Sequence, residues 1–296
     1  ISNENELEEV VKILKDNKVT VSFEVFPPKQ WDKIEHTKDI VKEMSEYAPS
    51  FMSVTYGAAG TKSGFTQEIA TQIKSSGVTP LSHLTCITST RDKIHTVVND
   101  LQENGIENIL ALRGDIPEGF EFPDDQYFTH AYQLVNEIKA INPTICVGGA
   151  CYPEIHPESA NRVEDIEYLK QKVDCGVEFL TSQMFFDNDK FLNFYEMCRV
   201  KGITVPIIAG IMPITNAKQI KRSIELSNSS VPKKFYKIME RFGDDERSMK
   251  QAGIVYATEQ IIDLMANGIN NIHIYTMNKP EVAGAIMNGL SDIINE

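Results

Sequence analysis

TVSFEVFPP, residues 20–28, decides the architecture. Its first seven residues are rich in β-branched and aromatic side chains and read as a β-strand, which Pro27 and Pro28 bring to an end. Runs of the same kind recur at Phe51–Tyr56, Leu81–Cys86, Asn108–Arg113, Thr144–Cys151, Glu178–Phe185, Val205–Ile211 and Asn271–Thr276, making eight with Thr20–Phe26. Their starts lie 27–36 residues apart, except for a gap of 66 before the last. A period of about 30 residues is what a strand–loop–helix–loop unit occupies, and parallel strands need such a crossover. Eight units predict an α/β protein closed into a (β/α)8 TIM barrel, one domain over residues 1–296. An open doubly wound sheet is the rival that the strand count leaves standing.

The segments between the runs carry helix punctuation. Thr90 opens one helix and Asn104-Gly105 closes it; Asp187 or Asn188 caps another that runs to Val200 ahead of Gly202; Gly268 follows a third. The long gap is predicted to hold three extra helices before the last strand, Asn216–Ser227, Pro232–Phe242 and Asp245–Ala266, with Pro232 in a first helical turn. Glu4–Lys15 is expected to be an extra N-terminal helix covering the barrel bottom, and Pro280–Asn295 the final helix, with no fused regulatory domain.

Of the 296 residues, 42% are hydrophobic and 24% charged, enough to build a large core. A net charge of −13 argues against nucleic acid and anionic membranes as partners, and it means that an anionic ligand needs a locally basic pocket. The five cysteines, Cys86, Cys146, Cys151, Cys175 and Cys198, are odd in number and contain no CxxC pair, so a reducing, cytoplasmic setting is expected rather than a disulfide framework. No apolar run approaches a membrane span, and the N-terminus lacks the pattern of a signal peptide. The six histidines show no metal-binding spacing, so no metal is expected. GAAGTKSG, residues 57–64, lacks the phosphate-loop spacing; no GxGxxG or GxSxG occurs, so Rossmann and hydrolase readings have no support.

Barrel strands are buried on both faces, so polar residues near their C-terminal ends are informative. Glu24 shares a strand face with Ser22 and should point into the barrel, where desolvation would raise its pKa and suit it to act as an acid. A structural ion pair, with Arg113 as a candidate partner, is the other reading. Thr55 and Tyr56, His83 and Thr85, Gln183, and His273 and Tyr275 occupy comparable positions on other strands. Arg113-Gly114-Asp115 ends the fourth; its glycine admits a close backbone approach to a ligand, or simply makes a turn. After the fifth strand, Ala150-Cys151-Tyr152-Pro153-Glu154-Ile155-His156-Pro157 is a stiff loop with a stacking ring. Asp165 and Lys172 follow on one helix face, either for a ligand or as ordinary solvated charges.

Taken together, SFEVFPP (residues 22–28), SVTYGA (53–58), HLTC (83–86), ALRGD (111–115), YPEIHPE (152–158), SQMFFD (182–187), GIMPITN (210–216) and IYTMN (274–278) resemble the methylenetetrahydrofolate reductase family, in family order along nearly the whole chain. The resemblance implies an enzyme that reduces 5,10-methylenetetrahydrofolate to 5-methyltetrahydrofolate by hydride transfer from N5 of noncovalently bound, reduced FAD. Glu24 would be the general acid that opens the five-membered folate ring. Asp115 would sit by the flavin and contact the pterin. Thr55, His83, Arg113, Gly114, Asp115, Tyr127, Ala150, Tyr152, His156, Asp165 and Lys172 match flavin-binding positions. Glu24, Asp115, Gln183, Tyr275 and Lys279 match folate-binding ones. A homo-oligomer in methionine or one-carbon metabolism is the family expectation.

Three departures bear on the donor and the substrate. NADH or NADPH is the family's electron donor, but Ala217 stands where many relatives carry a bulky aromatic that helps hold nicotinamide, so direct reduction by NADH is expected to be weak or absent, with a partner protein as another electron source. Lys279 replaces an arginine and loses its bidentate fork. Met184 replaces an aromatic. Another FAD barrel oxidoreductase of the proline dehydrogenase type would need paired arginines on the last helix, and Lys279–Glu296 has none. A non-catalytic folate-binding subunit is the remaining alternative, against which Glu24 and Asp115 both stand intact.

Overall fold

The structure, a computed structural model, describes residues 7–57, 64–122 and 127–295. The opening residues of the expected Glu4–Lys15 helix, Ala58 of the second motif and most of the GAAGTKSG run lie outside the described residues.

Eight parallel strands close in sequence order: β1 Thr20–Val25, β2 Met52–Val54, β3 Pro80–Thr85, β4 Asn108–Leu112, β5 Cys146–Cys151, β6 Phe179–Ser182, β7 Ile207–Ile211 and β8 Asn271–Tyr275. β8 pairs with β1 over five residues, with Ser22 opposite His273 and Glu24 opposite Tyr275, and this pairing excludes the open sheet. The strands are shorter than the apolar runs. Backbone pairing stops where the chain turns outward, while the hydrophobic run continues into the covering loops, as at Met184–Phe186.

The helices alternate with the strands as predicted: α1 Val10–Asp16, α2 Ile34–Ser45, α3 Gly64–Ser75, α4 Arg91–Glu103, α5 Ala131–Ile141, α6 Arg162–Asp174, α7 Asn188–Val200, α8 Ala217–Ser227, α9 Lys233–Phe242, α10 Glu246–Ala266, α11 Pro280–Gly289 and α12 Ser291–Ile294. Thr90 caps α4 through the Lys93 amide and Asp187 caps α7 through the Asp189 amide. Three expectations need correction. The N-terminal helix starts at Val10, with Glu9 as its extended N-cap and Leu7 and Glu8 outside it. Pro232 is the N-cap of α9 with extended backbone, not a residue of its first turn. The final helix is broken at Leu290, whose buried side chain anchors the break between α11 and α12.

The N-terminal helix does cover the barrel bottom. Val10, Val11, Ile13 and Leu14 pack on Phe51, Leu81, Leu110, Cys146, Phe179 and Ile208, the inward side chains of the lower strand layer. The Val10 amide donates to Asn108 Oδ1 at 2.9 Å, so the helix start is tied to β4. A second cluster, with Met184, Phe186, Met212, Ile214, Phe235 and Met249, seats α8–α10 against the upper rim at β6 and β7. The bottom is therefore plugged by side chains, and the open space is left at the carboxyl ends of the strands. No helix among the described residues is long and apolar enough to cross a membrane.

Candidate active site

At the carboxyl end of the barrel lies a cavity of ≈ 270 Å³ lined by Glu24, Ser53, His83, Leu112, Ala150, Tyr152, Gln183, Met184, Met212, His273 and Tyr275 among others. Glu24 points inward, as its alternation with Ser22 requires, with its side chain 19% exposed. Its Oε1 lies 3.4 Å from His83 Nε2 and 4.0 Å from His273 Nε2. The expected alternative partner, Arg113, pairs elsewhere, with Glu158. Arg113 leaves β4 at the rim, whereas Glu24 is lower and three strands away in pairing order, so the two do not meet.

Beneath Glu24 runs a buried polar chain. Ser22 Oγ is 2.7 Å from His273 Nδ1, and Ser53 Oγ is 3.3 Å from His273 Nε2. His83 differs. Burial lowers its pKa and favours the neutral ring, although the Glu24 carboxylate acts the other way. Its Nε2 is buried and lacks a hydrogen bond of good geometry, even to Glu24. Such an atom costs free energy unless a ligand completes it.

On the far wall, the Tyr275 hydroxyl donates to the Ser182 carbonyl at 2.6 Å, and burial pushes its pKa well up, so it stays a neutral donor. Gln183 Oε1 accepts from the Met184 amide at 2.9 Å, which fixes the carboxamide and leaves its NH2 for another partner.

A second hollow of ≈ 440 Å³ opens outward between β4, β5, α5 and α6. Arg113, His130, Tyr132, Ala150, Tyr152, His156, Glu158, Asp165 and Lys172 are among its lining residues, and it shares Ala150 and Tyr152 with the inner cavity. The Lys172 ammonium donates to the Ala150 carbonyl, and burial lowers its pKa. Asp165, 8% exposed, is no solvated charge: its carboxylate accepts from the His156 amide, Ser159 Oγ and Arg162, at 3.3, 3.1 and 3.2 Å. The Tyr152 and His156 rings meet edge to face at 4.4 Å. Burial pushes the Tyr152 hydroxyl up to about 12.

The other candidates frame these spaces without lining either. Gly114 has φ +85°, which turns the chain sharply off β4 and would strain any other residue. Asp115 follows it, exposed on the rim, in the field of Arg113 and Tyr152. Thr55 is half-buried at the end of β2, its carbonyl accepting from Thr66 Oγ1. Lys279 donates to Thr215 Oγ1 at 3.1 Å, next to α8. Tyr127 bridges Thr90 in a separate hollow with Arg91, Phe128 and Glu137. Glu158, Arg162 and the Ser22–His273–Ser53 chain went unassigned in the sequence. Arg162, three residues before Asp165 on the same helix, was the one with a readable spacing. Among the described residues no group of three His, Cys, Asp or Glu side chains could hold a metal ion.

A closed parallel barrel with a carboxylate, two histidines and convergent hydrogen-bonding side chains at its strand ends is, by class, a barrel enzyme. Residues 9–291 match the family described as methylenetetrahydrofolate reductase, and the chain belongs to that family. It is 35% identical to the 5,10-methylenetetrahydrofolate reductase of Escherichia coli (strain K12) over 273 residues, 92% of this chain and 90% of that one. It is 34% identical to methylenetetrahydrofolate reductase (NADH) 1 of Arabidopsis thaliana over 97% of this chain and 51% of that one. The chain thus spans about half the length of the plant relatives it matches. Among solved structures, a Clostridium thermocellum protein described as binding two copies of 5-methyl-5,6,7,8-tetrahydrofolic acid superposes with a TM-score of 0.67 over 96% of this chain and 98% of that one, at 15% identity, a likeness of fold.

Proposed function

We propose that this chain reduces 5,10-methylenetetrahydrofolate to 5-methyltetrahydrofolate, with FAD held along the two joined hollows and the folate over the inner one. The observation that carries the reading is the placement of Glu24: a single inward carboxylate at the inner end of an elongated site whose outer end is lined by Arg113, His156 and Lys172. In a chain of net charge −13, that local group of donors suits a pyrophosphate. The two hollows together fall within the range of roughly 300–1,000 Å³ typical of small-molecule sites. The orphaned Nε2 of buried His83 also suits a ligand atom at the inner end.

When bound, FAD supplies the hydride. The protein's own part is to hold, orient and protonate. Arg113, Tyr152, His156, Asp165 and Lys172 would hold the cofactor, with Thr55, His83, Gly114 and Ala150 shaping its bed; Tyr127, in its separate hollow, has the weakest geometric support. The Gln183 carboxamide and the Tyr275 hydroxyl would orient the pterin through neutral hydrogen bonds. Glu24 would give its proton to the folate amine, which lets the five-membered ring open to the iminium that accepts hydride. Asp115 on the rim would keep a carboxylate near the bound rings, and Lys279 would offer a point charge to the folate tail. The names of the plant relatives make NADH one option for the donor. Ala217 at the start of α8 supplies no ring to stack a nicotinamide, so reduction by NADH is expected to be slow.

The test is an anaerobic absorption spectrum. Purified protein should show flavin absorption, bleach with a chemical reductant, and recover when 5,10-methylenetetrahydrofolate is added. Protein that stays colourless after incubation with FAD, or reduced flavin that the folate does not reoxidise, ends the proposal. Replacing the chemical reductant with NADH measures the donor separately: rapid bleaching would overturn the expectation drawn from Ala217.

A further inference from the structure

The loop from Tyr152 to Ser159 is fastened unevenly. Arg162 donates to the carbonyls of Tyr152 and Pro153, at 2.9 Å for the first, and so ties the start of the loop to α6. Glu154 reaches the other way: its carboxylate accepts from the amide and hydroxyl of Ser230 in the α8–α9 link. Ile155 follows with φ +64°, a left-handed conformation that β-branched residues avoid and hold only when their surroundings fix it. Beyond it, Glu158 forms a two-pronged ion pair with Arg113 at the end of β4, and the arginine's Nε is held by the Gly114 carbonyl. The Glu158 amide donates to His156 Nδ1 at 3.1 Å, so the neutral ring carries its proton on Nε2 and presents a donor there. Arg113, His156 and Glu158 all line the outer hollow.

We propose that Glu158 is a positioning residue that clasps the β5–α6 loop onto Arg113, closing the outer hollow over its ligand, and that opening of this clasp about Ile155 sets the rate at which the ligand leaves. The inference rests on the reading of that hollow as the FAD site. The part free to move is short, because Tyr152–Glu154 is anchored on one side and Asp165 holds Ser159 on the other; Asp165 also accepts from the His156 amide at 3.3 Å, the long bond next to Ile155 that must give when the clasp opens. The Glu158 side chain is 56% exposed and that of Arg113 21%, so the pair is open enough to break without unfolding the barrel and is sensitive to salt. Two parallel hydrogen bonds make it stronger than an ordinary surface pair. Opening removes the contact that sets both the guanidinium and, through the Glu158 amide, the His156 tautomer.

FAD release from holo-protein, followed as the rise of free-flavin fluorescence on dilution, tests this. Release from the wild type should speed up as salt rises. Glu158→Gln should release about tenfold faster at low salt and respond less to salt, with Glu158→Asp in between. A melting temperature for each variant separates this from general loosening. Ile155→Asn tests the hinge: asparagine accepts the left-handed conformation, so the loop should stay shut and release should slow. If Glu158→Gln releases FAD at the wild-type rate, the clasp is wrong while the FAD site stands; slower release would mean that Glu158 competes with the cofactor for Arg113, and also overturns it. A wild type that takes up no FAD brings down the functional reading and the clasp with it.

Discussion

Glu24→Gln should keep its flavin, reduce normally and lose folate turnover by about 10²–10⁴-fold, the usual contribution of a positioned acid. The substitution keeps the volume and two hydrogen-bonding atoms but removes the transferable proton. Its backbone has little freedom to shift, because β1 is paired on both sides, with Glu24 opposite Ser53 and Tyr275, and its carbonyl accepts from Thr276 Oγ1 at 2.7 Å. The flanking His83 and His273 are already neighbours at 3.4 and 4.0 Å. A neutral amide in place of the carboxylate also removes the group that draws His83 toward its charged form, so that ring should stay neutral. The decisive comparison is therefore between two half-reactions on one protein. Flavin reduction should proceed as in the wild type, and reoxidation by 5,10-methylenetetrahydrofolate should stall. Reoxidation at the wild-type rate would remove Glu24 as the required acid. Loss of both halves would mean that the site itself had been disturbed.

The barrel was legible because each of its units is local. A strand needs a short apolar run, and a helix needs a cap and a period, and both are written in consecutive residues. Even the extra helices were readable, since Asn216, Pro232 and Asp245 lie at their starts. The orientation of Glu24 followed from alternation alone, and Asp165 and Lys172 converge on one hollow because they share one face of α6. Contacts made by loops were not legible. Arg113 pairs with Glu158 across 45 residues, and Glu154 with Ser230 across 76, and no periodicity relates such positions. The proposed Glu24–Arg113 pair failed for the same reason: sequence shows that two charges are present, but which loop folds over a strand end decides where they meet. His273 was visible as a strand residue, while its bonds to Ser22 and Ser53 needed the closure of β8 onto β1.

Gly253→Ala should be among the most damaging single-methyl changes in the chain, although the residue sits mid-helix in α10, where alanine is normally preferred over glycine by about 1 kcal/mol. A Cβ placed there would stand 1.6 Å from the Ile214 carbonyl oxygen and 2.7 Å from its carbon. Those are backbone atoms, so no rotamer change relieves the clash; α10 must move off the segment after β7 or that segment must move inward. Overpacking typically costs about 1–3 kcal/mol, and a backbone collision belongs at the upper end. Melting should fall by roughly 6–12 °C, at about 2–4 °C per kcal/mol in a large domain. The consequence should reach the site. Ile214 lies between Met212, which lines the inner cavity, and Thr215, which accepts from Lys279. A weaker affinity for folate should therefore accompany the lost stability, with flavin binding on the opposite side of the barrel mouth retained at temperatures below the transition. An alanine variant that melts with the wild type would show that α10 and the β7 loop can separate freely. The close packing that holds the α8–α10 insertion against the barrel rim would then have no energetic weight.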